Sequence, residues 1–169
     1  MPQERRGPFA YNGGMTAAPD MRLSPCDLAI IGGGAGGVLA AMQALRLATT
    51  PLRIVMIEPR EVLAQGVAYA TTYGEHVLNV PAGRMSAFDD RPADFLDYVV
   101  ATTPPDGPDR ETLAHAFIAR RRYGDYLRTR LQETIAASPA SLQIVQDSVS
   151  ELDARDDGAT LHLAAHGPL

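Results

Sequence analysis

The chain has 169 residues, of which 46% are hydrophobic, and both values are typical of a single globular domain. Its formal net charge of -5 argues against a nucleic-acid partner, because surfaces that bind nucleic acid are basic. No apolar run approaches the roughly 20 residues of a membrane span, and the single cysteine, Cys26, cannot form an internal disulfide. Composition therefore predicts a cytoplasmic protein with neither a nucleic-acid nor a membrane partner, and it leaves the oligomeric state open.

The N-terminal segment differs in composition from the rest of the chain. Residues 1–24 are rich in glycine, proline and polar side chains, which predicts a disordered tail. We expect the folded domain to occupy residues 25–169.

A strand, a helix and a second strand are predicted directly after this tail. Residues 27–31 form a short apolar run that ends at a cluster of glycines, as a buried parallel strand does. Residues 38–48 carry apolar side chains at helical spacing, and Pro51 disfavours continuation of that helix. Residues 52–57 predict the second strand, so the three segments form one βαβ unit with a right-handed crossover.

The remaining elements are less regular. Residues 59–91 are interrupted by glycines and prolines, and an irregular stretch of this length is usually functional. Helical spacing of apolar residues predicts helices over residues 93–102 and 111–137, the second with an interruption at Gly124. Residues 142–152 and 159–164 predict two strands, joined as a hairpin through the Asp-Gly pair between them.

The glycine cluster fits the dinucleotide-binding pattern G-x-G-x-x-G at Gly32, Gly34 and Gly37. Gly32 allows a sharp turn, the missing side chain of Gly34 lets the backbone approach a pyrophosphate, and Gly37 allows the helix to pack against the strand. Ala35 and Gly36 lie just before the predicted helix, at whose N-terminus free N–H groups and the positive end of the helix dipole favour an anion. The pattern therefore predicts a pyrophosphate site.

An acidic residue stands where the ribose of a bound dinucleotide is expected. Glu58 follows Gly37 by 21 residues, close to the roughly 20 typical of the ribose-binding acid. Its carboxylate can accept hydrogen bonds from both ribose hydroxyls and disfavours a 2′-phosphate. Spacing alone leaves NAD and FAD open, but the irregular stretch after Glu58 replaces the second strand–helix–strand half expected of a simple NAD-dependent dehydrogenase.

Five segments of the chain together resemble the bacterial FAD-NAD(P)-binding family. That family is related to the flavin-dependent N-hydroxylating monooxygenases, and its members include a proposed FAD-dependent urate hydroxylase. The resemblance covers about residues 25–165. The segments that carry it are residues 27–37 (DLAIIGGGAGG), 58–60 (EPR), 66–69 (GVAY), 76–81 (HVLNVP) and 120–127 (RRRYGDYL).

The resemblance implies an α/β fold, namely a Rossmann-like FAD-binding domain of the glutathione-reductase type with three layers (ββα) that is incomplete at its C-terminal side. It implies FAD as the cofactor, NAD(P)H as the electron donor, and a monooxygenase (hydroxylase) acting on a small organic substrate. Full-length members continue with a strand, an A-T-G-like turn and a second glycine motif, so we expect this chain to be the N-terminal fragment of such an enzyme. An NAD-dependent dehydrogenase and a non-catalytic dinucleotide-binding fragment are the alternatives.

The resemblance also assigns further residues to the cofactor. Asn79, Met85 and Ser86 match a stretch expected near the flavin, and Val149 lies on a strand expected to offer backbone groups to the adenine. Asn79 could instead satisfy loop backbone groups, and Met85 could pack in the core. Besides Gly32, Gly34, Ala35, Gly36 and Gly37, the residues expected to bind the cofactor are Glu58, Pro59, Arg60, Asn79, Met85, Ser86 and Val149. No catalytic acid or base is identified.

Overall fold

The structure is a computed structural model that describes residues 23–169. The tail predicted over residues 1–24 therefore lies outside the described residues, except for its last two positions.

Three parallel strands form the central sheet. They are β1 (Leu28–Ile31), β2 (Arg53–Ile57) and β3 (Ser141–Val145), and β2 lies between the other two. Helix α1 (Ala35–Leu47) connects β1 to β2, so the predicted βαβ unit is confirmed. The helix begins three residues earlier than its apolar spacing indicated, because the glycines before the first apolar residue form its first turn.

Three further α-helices lie between β2 and β3, after a short 3-10 helix at Ala82–Arg84. They are α2 (Asp94–Ala101), α3 (Arg110–His115) and α4 (Arg120–Ala137). The interruption predicted at Gly124 is wrong, since this residue lies inside α4.

The single helix predicted over residues 111–137 is also wrong, because the chain becomes extended between α3 and α4. Ala116 has extended backbone torsions (φ −78°, ψ 143°), and Ala119 is also non-helical (φ −55°, ψ 133°). Ala119 forms a β-bridge with Val77, and the N–H of Leu78 donates to the carbonyl oxygen of Ile118 at 2.8 Å. The backbone thus forms hydrogen bonds with a distant segment in place of helical ones, which apolar spacing cannot foresee.

A second, antiparallel sheet covers the other side of the molecule. It contains β4 (Val149–Arg155), β5 (Gly158–Leu163) and β6 (Gly167–Pro168). The predicted hairpin is confirmed, because β4 and β5 pair and are joined by a two-residue turn. The strand predicted over residues 142–152 is wrong as one element, since it is divided between β3 of the parallel sheet and β4 of the second sheet.

A buried aspartate marks the point where the chain passes from one sheet to the other. The Asp147 carboxylate accepts hydrogen bonds from the N–H groups of Ser148 (2.7 Å), Ala165 (3.0 Å) and His166 (3.0 Å), and His166 Nδ1 lies 2.8 Å away. Burial by itself would raise the pKa of Asp147, but the hydrogen bonds from His166 and from these amides outweigh it and lower the pKa to about 2. The charged carboxylate therefore holds the end of the hairpin sheet against the start of β4.

Strand β2 lies at the centre of the packing because its two faces belong to different cores. Ile54 and Met56 point to one face and pack with the helices, whereas Val55 and Ile57 point to the other and pack with two leucines of β5. All four side chains are at most 2% exposed. Helices, parallel sheet and antiparallel sheet thus form three layers, and the predicted three-layer α/β fold is confirmed.

A buried tyrosine joins α4 to α2 on the helical side. The Tyr126 hydroxyl accepts the N–H of Ala87 at 2.9 Å and donates to Asp94 Oδ2 at 2.8 Å. Arg130 Nε donates to the same carboxylate oxygen at 2.7 Å, so the charge of Asp94 is paired. Burial raises the pKa of Tyr126 to about 12, and the hydroxyl keeps the proton that it donates.

Candidate functional site

The glycine loop connects β1 to α1, and two of its glycines are required by the fold itself. Gly32 has a φ of +97°, in the region that favours glycine, and its N–H donates to Ile57 O at 2.8 Å. A Cβ added at Gly37 would lie 1.8 Å from the carbonyl oxygen of Gly32. A side chain at either position would therefore disturb the turn or separate the helix from the strand.

The N-terminus of α1 presents backbone N–H groups to open space. Gly34 is the N-cap residue and makes no side-chain cap, and the N–H groups of the first helical residues have no partner within a helix. Gly36 is exposed, and no described atom outside the helix's own backbone lies within 4 Å of the position its Cβ would occupy. A Cβ at Gly34 would meet Gly66 Cα at 3.7 Å, an ordinary contact. This end of the helix therefore combines unpartnered N–H groups with the positive end of the helix dipole, which together favour an anion.

Glu58 lies at the end of β2 and directs its carboxylate at the glycine loop. Oε2 accepts the N–H of Gly33 at 2.7 Å, and Oε1 accepts the N–H of Arg60 at 3.0 Å. The residue is 8% exposed, and its own N–H donates to Val145 O at 3.0 Å. Because a carboxylate oxygen can accept more than one hydrogen bond, each retains capacity for a donor such as a ribose hydroxyl.

Gly33 is a site residue that sequence reasoning missed. A Cβ at this position would lie 2.5 Å from Leu63 Cδ2 and 2.9 Å from Glu58 Cβ. A side chain on Gly33 would therefore displace the acid that its N–H holds. The pattern G-x-G-x-x-G leaves this position free, and the run of three consecutive glycines was the available signal.

The two predicted residues that follow Glu58 lie beside the acid but on the surface. Pro59 and Arg60 are both exposed. The carbonyl oxygen of Pro59 accepts from Gln146 Nε2 at 3.3 Å, and Arg60 contacts Glu58 through its backbone. Their contact with a cofactor stays a prediction.

The residues predicted near the flavin are separate from the glycine loop. Asn79 is exposed, and Met85 is partly buried against the helical core. The Ser86 hydroxyl donates to Arg91 O at 2.7 Å and accepts the N–H of Phe88 at 3.0 Å, so it stabilises a local turn. Within residues 23–169 no hydrogen bond joins these three predicted residues to the loop.

Val149, predicted to lie near the adenine, begins β4 and pairs with Leu163. Its side chain is partly buried against the core between the two sheets. The expected contact between the Val149 backbone and the adenine stays a prediction.

Residues 23–169 contain no group of three side chains able to hold a metal ion. None of the helices in this range is both long enough and apolar enough to cross a bilayer. The site consists of open N–H groups beside a buried carboxylate, an arrangement that suits a ligand with a phosphate and neighbouring hydroxyl groups.

Comparison with known proteins gives a family and a fold. A family model described as FAD-NAD(P)-binding matches residues 29–169. Among solved structures, the chain is similar to a mutant flavin monooxygenase from Stenotrophomonas maltophilia, with a TM-score of 0.54 and 18% identity over 86% of this chain and 36% of that one. It is also similar to the halogenase PltM in complex with phloroglucinol and FAD, with a TM-score of 0.50 and 13% identity over 85% of this chain and 32% of that one.

The chain thus spans about a third of the length of these two solved structures. At identities this low, the similarity establishes the fold and leaves the activity open. A search of the curated proteins finds no significant match.

Proposed function

The chain belongs to the FAD-NAD(P)-binding family, and from this premise we propose that it forms the FAD-binding portion of an FAD- and NAD(P)H-dependent monooxygenase. The observation that carries the proposal is the position of Glu58. Its carboxylate lies 2.7 Å from the N–H of Gly33, directly beside the open N-terminus of α1. A ligand that reached both groups would present a phosphate and a ribose close together, as an adenine dinucleotide does.

The residues present fit this cofactor. The N–H groups of Ala35 and Gly36 would hold the pyrophosphate, since Gly36 has open space where a side chain would otherwise stand. Glu58 would hold the adenosine ribose through the remaining acceptor capacity of its two oxygens. When bound, FAD supplies the redox chemistry by which electrons pass from a reduced nicotinamide to an acceptor. This chain's own residues bind and orient the adenosine end of the cofactor.

The shared fold supports the finer parts of the proposal. The similar structures include a flavin monooxygenase and a halogenase bound to FAD and phloroglucinol, which is a small organic molecule. We therefore propose a small organic substrate and leave its identity open. The cytoplasmic location, NAD(P)H as electron donor, and the flavin contacts of Asn79, Met85 and Ser86 stay predictions.

A direct binding experiment tests the choice of cofactor. We would titrate the purified chain with FAD and NAD in parallel by isothermal calorimetry, and we expect FAD to bind more tightly. Preferential binding of NAD would favour the dehydrogenase alternative, and binding of neither would contradict the proposed site.

Substitution of the acid tests the observation that carries the proposal. Glu58→Gln removes the negative charge that the ribose hydroxyls would face, and hydrogen bonds to charged groups contribute about 1.5–3 kcal/mol. We expect FAD affinity to fall by at least about tenfold, since about 1.4 kcal/mol corresponds to a factor of ten. Glu61→Gln, at an exposed position three residues later, is the matched control and should leave FAD affinity unchanged. Equal affinities for Glu58→Gln and wild type would count against the ribose contact.

A further inference from the structure

We infer that helix α4 holds the glycine loop in its binding shape through a buried turn, and that Gly124 and Arg128 are positioning residues of the cofactor site. The turn comprises residues 63–66 and is called the 63–66 turn below. The inference rests on the proposed function for its effect on FAD, but the coupling between helix and loop can be measured in the protein without FAD.

The 63–66 turn contains a backbone conformation that most residues avoid. Ala64 has a φ of +60°, in the left-handed region where a Cβ crowds the following carbonyl. It is also fully buried, with 0% exposure. A non-glycine residue stays in this region only where its surroundings determine its conformation, and such residues cluster at functional sites. The residues that the turn contacts therefore indicate its role in the structure.

On one side the 63–66 turn lies against Gly33 and Gly34 of the glycine loop. The N–H of Ala64 donates to Gly33 O at 2.8 Å. Leu63 Cδ2 occupies the space that a side chain on Gly33 would need, 2.5 Å from its would-be Cβ. A Cβ added at Gly66 would lie 3.4 Å from Gly34 Cα, at the short end of ordinary contact distances. The turn thus supports the glycine loop through one hydrogen bond and the side chain of Leu63 beside Gly33.

On its other side the 63–66 turn contacts helix α4. A Cβ added at Gly124 would lie 3.2 Å from Ala64 O, which is closer than an ordinary contact. One turn further along α4, Arg128 Nη1 donates to Leu63 O at 3.3 Å, and the same guanidinium is paired with Asp125. The helix therefore approaches the turn at the one position where it lacks a side chain, and it holds the turn with an arginine.

These contacts connect α4 to the acid of the candidate site. Gly124 leaves the space beside Ala64 O free of a side chain, the N–H of Ala64 donates to Gly33 O, and the N–H of Gly33 donates to the Glu58 carboxylate. Because protein interiors are close-packed, a displacement of the turn passes to the atoms against it. A side chain at residue 124 should therefore disturb the ribose-binding acid without touching the ligand.

Gly124→Ala is the primary test. Alanine favours a helix over glycine, so the substitution should leave α4 intact, which far-UV circular dichroism checks. The added methyl group must displace Ala64 O by a few tenths of an ångström. We expect the Kd for FAD to rise by at least about threefold, since a displacement of a few tenths of an ångström is a large part of the about 0.5 Å within which supporting groups must hold a site. In protein without FAD, hydrogen exchange of the Ala64 amide should accelerate by about tenfold because its bond to Gly33 O weakens.

Arg128→Met provides an independent test that adds no atoms to the core. It removes the hydrogen bond to Leu63 O and should accelerate Ala64 exchange and weaken FAD binding, each by at least about threefold. Arg121→Met is the matched control, because Arg121 is exposed on the same helix, and it should change neither quantity.

The two readouts separate this inference from the proposed function. Wild-type exchange at Ala64 in both Gly124→Ala and Arg128→Met would overturn the coupling, whatever the chain binds. Wild-type FAD affinity in both variants, with exchange accelerated, would overturn their role in the cofactor site. If the wild-type chain binds no FAD, the proposed function fails, and the exchange measurement still decides whether α4 holds the loop.

Discussion

Substitution of Gly37 by alanine tests the packing of helix against strand on which the glycine loop depends. The added Cβ would lie 1.8 Å from the carbonyl oxygen of Gly32, whereas non-bonded heavy atoms pack about 3.5 Å apart. This oxygen is a backbone atom and cannot rotate away, and the N–H of Gly32 is itself bonded to Ile57 O. Helix and strand would therefore have to separate by more than about 1 Å.

The expected cost lies at the upper end of the range for overpacked sites. Extra methylene groups in a packed core typically cost about 1–3 kcal/mol, and more where the backbone must move. We expect the free energy of unfolding of Gly37→Ala to fall by at least about 3 kcal/mol, as measured by urea denaturation followed by circular dichroism.

A neighbouring glycine provides the matched control. Gly36 lies in the same helical turn, but no described atom outside the helix's own backbone lies within 4 Å of its would-be Cβ. Gly36→Ala should therefore keep the wild-type stability or raise it by up to about 1 kcal/mol, because alanine favours a helix. If Gly37→Ala unfolded at the same urea concentration as wild type, the assignment of Gly37 to helix–strand packing would be refuted.

Two further predictions concern polar groups outside the glycine loop. The native pKa of Asp147, about 2, lies below the unfolded value of about 3.9, so the native state binds fewer protons between these values. Asp147 therefore stabilises the fold above about pH 4, and this contribution is lost as the pH falls toward 2. Over this range the free energy of unfolding in urea should fall by roughly 1–2 kcal/mol more in wild type than in Asp147→Asn. Tyr126→Phe leaves the buried N–H of Ala87 without a partner and removes one hydrogen bond to Asp94, which Arg130 still pairs, and it should lower the free energy of unfolding by about 1–3 kcal/mol. Tyr73→Phe, at a position 67% exposed, is its control and should change stability by less than about 0.5 kcal/mol.

Features that depend on neighbouring residues were predictable from the sequence. The βαβ unit follows from apolar periods and glycine positions within 31 residues, from 27 to 57, and the structure agrees with it. The Asp-Gly hairpin is local as well, because a two-residue turn brings its strands together. The position of Glu58 beside the loop follows from the same unit, since the ends of adjacent parallel strands lie together.

Features that depend on distant contacts were not predictable. The break between α3 and α4 exists because residues 77–78 pair with residues 118–119, some 40 positions later, and apolar spacing contains no trace of that pairing. The division between β3 and β4 depends on a buried carboxylate bonded to residues 18 and 19 positions away. The sequence predicted an interruption at Gly124 because glycine disfavours helices. A side chain there would crowd Ala64 O, and Ala64 lies 60 positions earlier in the chain, so the sequence near Gly124 does not indicate this.

The alternation of side chains along β2 has a consequence for how the molecule unfolds. Loss of this one strand would expose apolar surface on its two faces at once, because its odd and even positions serve opposite layers. If either the helical layer or the hairpin layer detached, one face of β2 would therefore lose its apolar partners. Heat or denaturant should melt both layers in a single cooperative step, with circular dichroism and tyrosine fluorescence following the same curve.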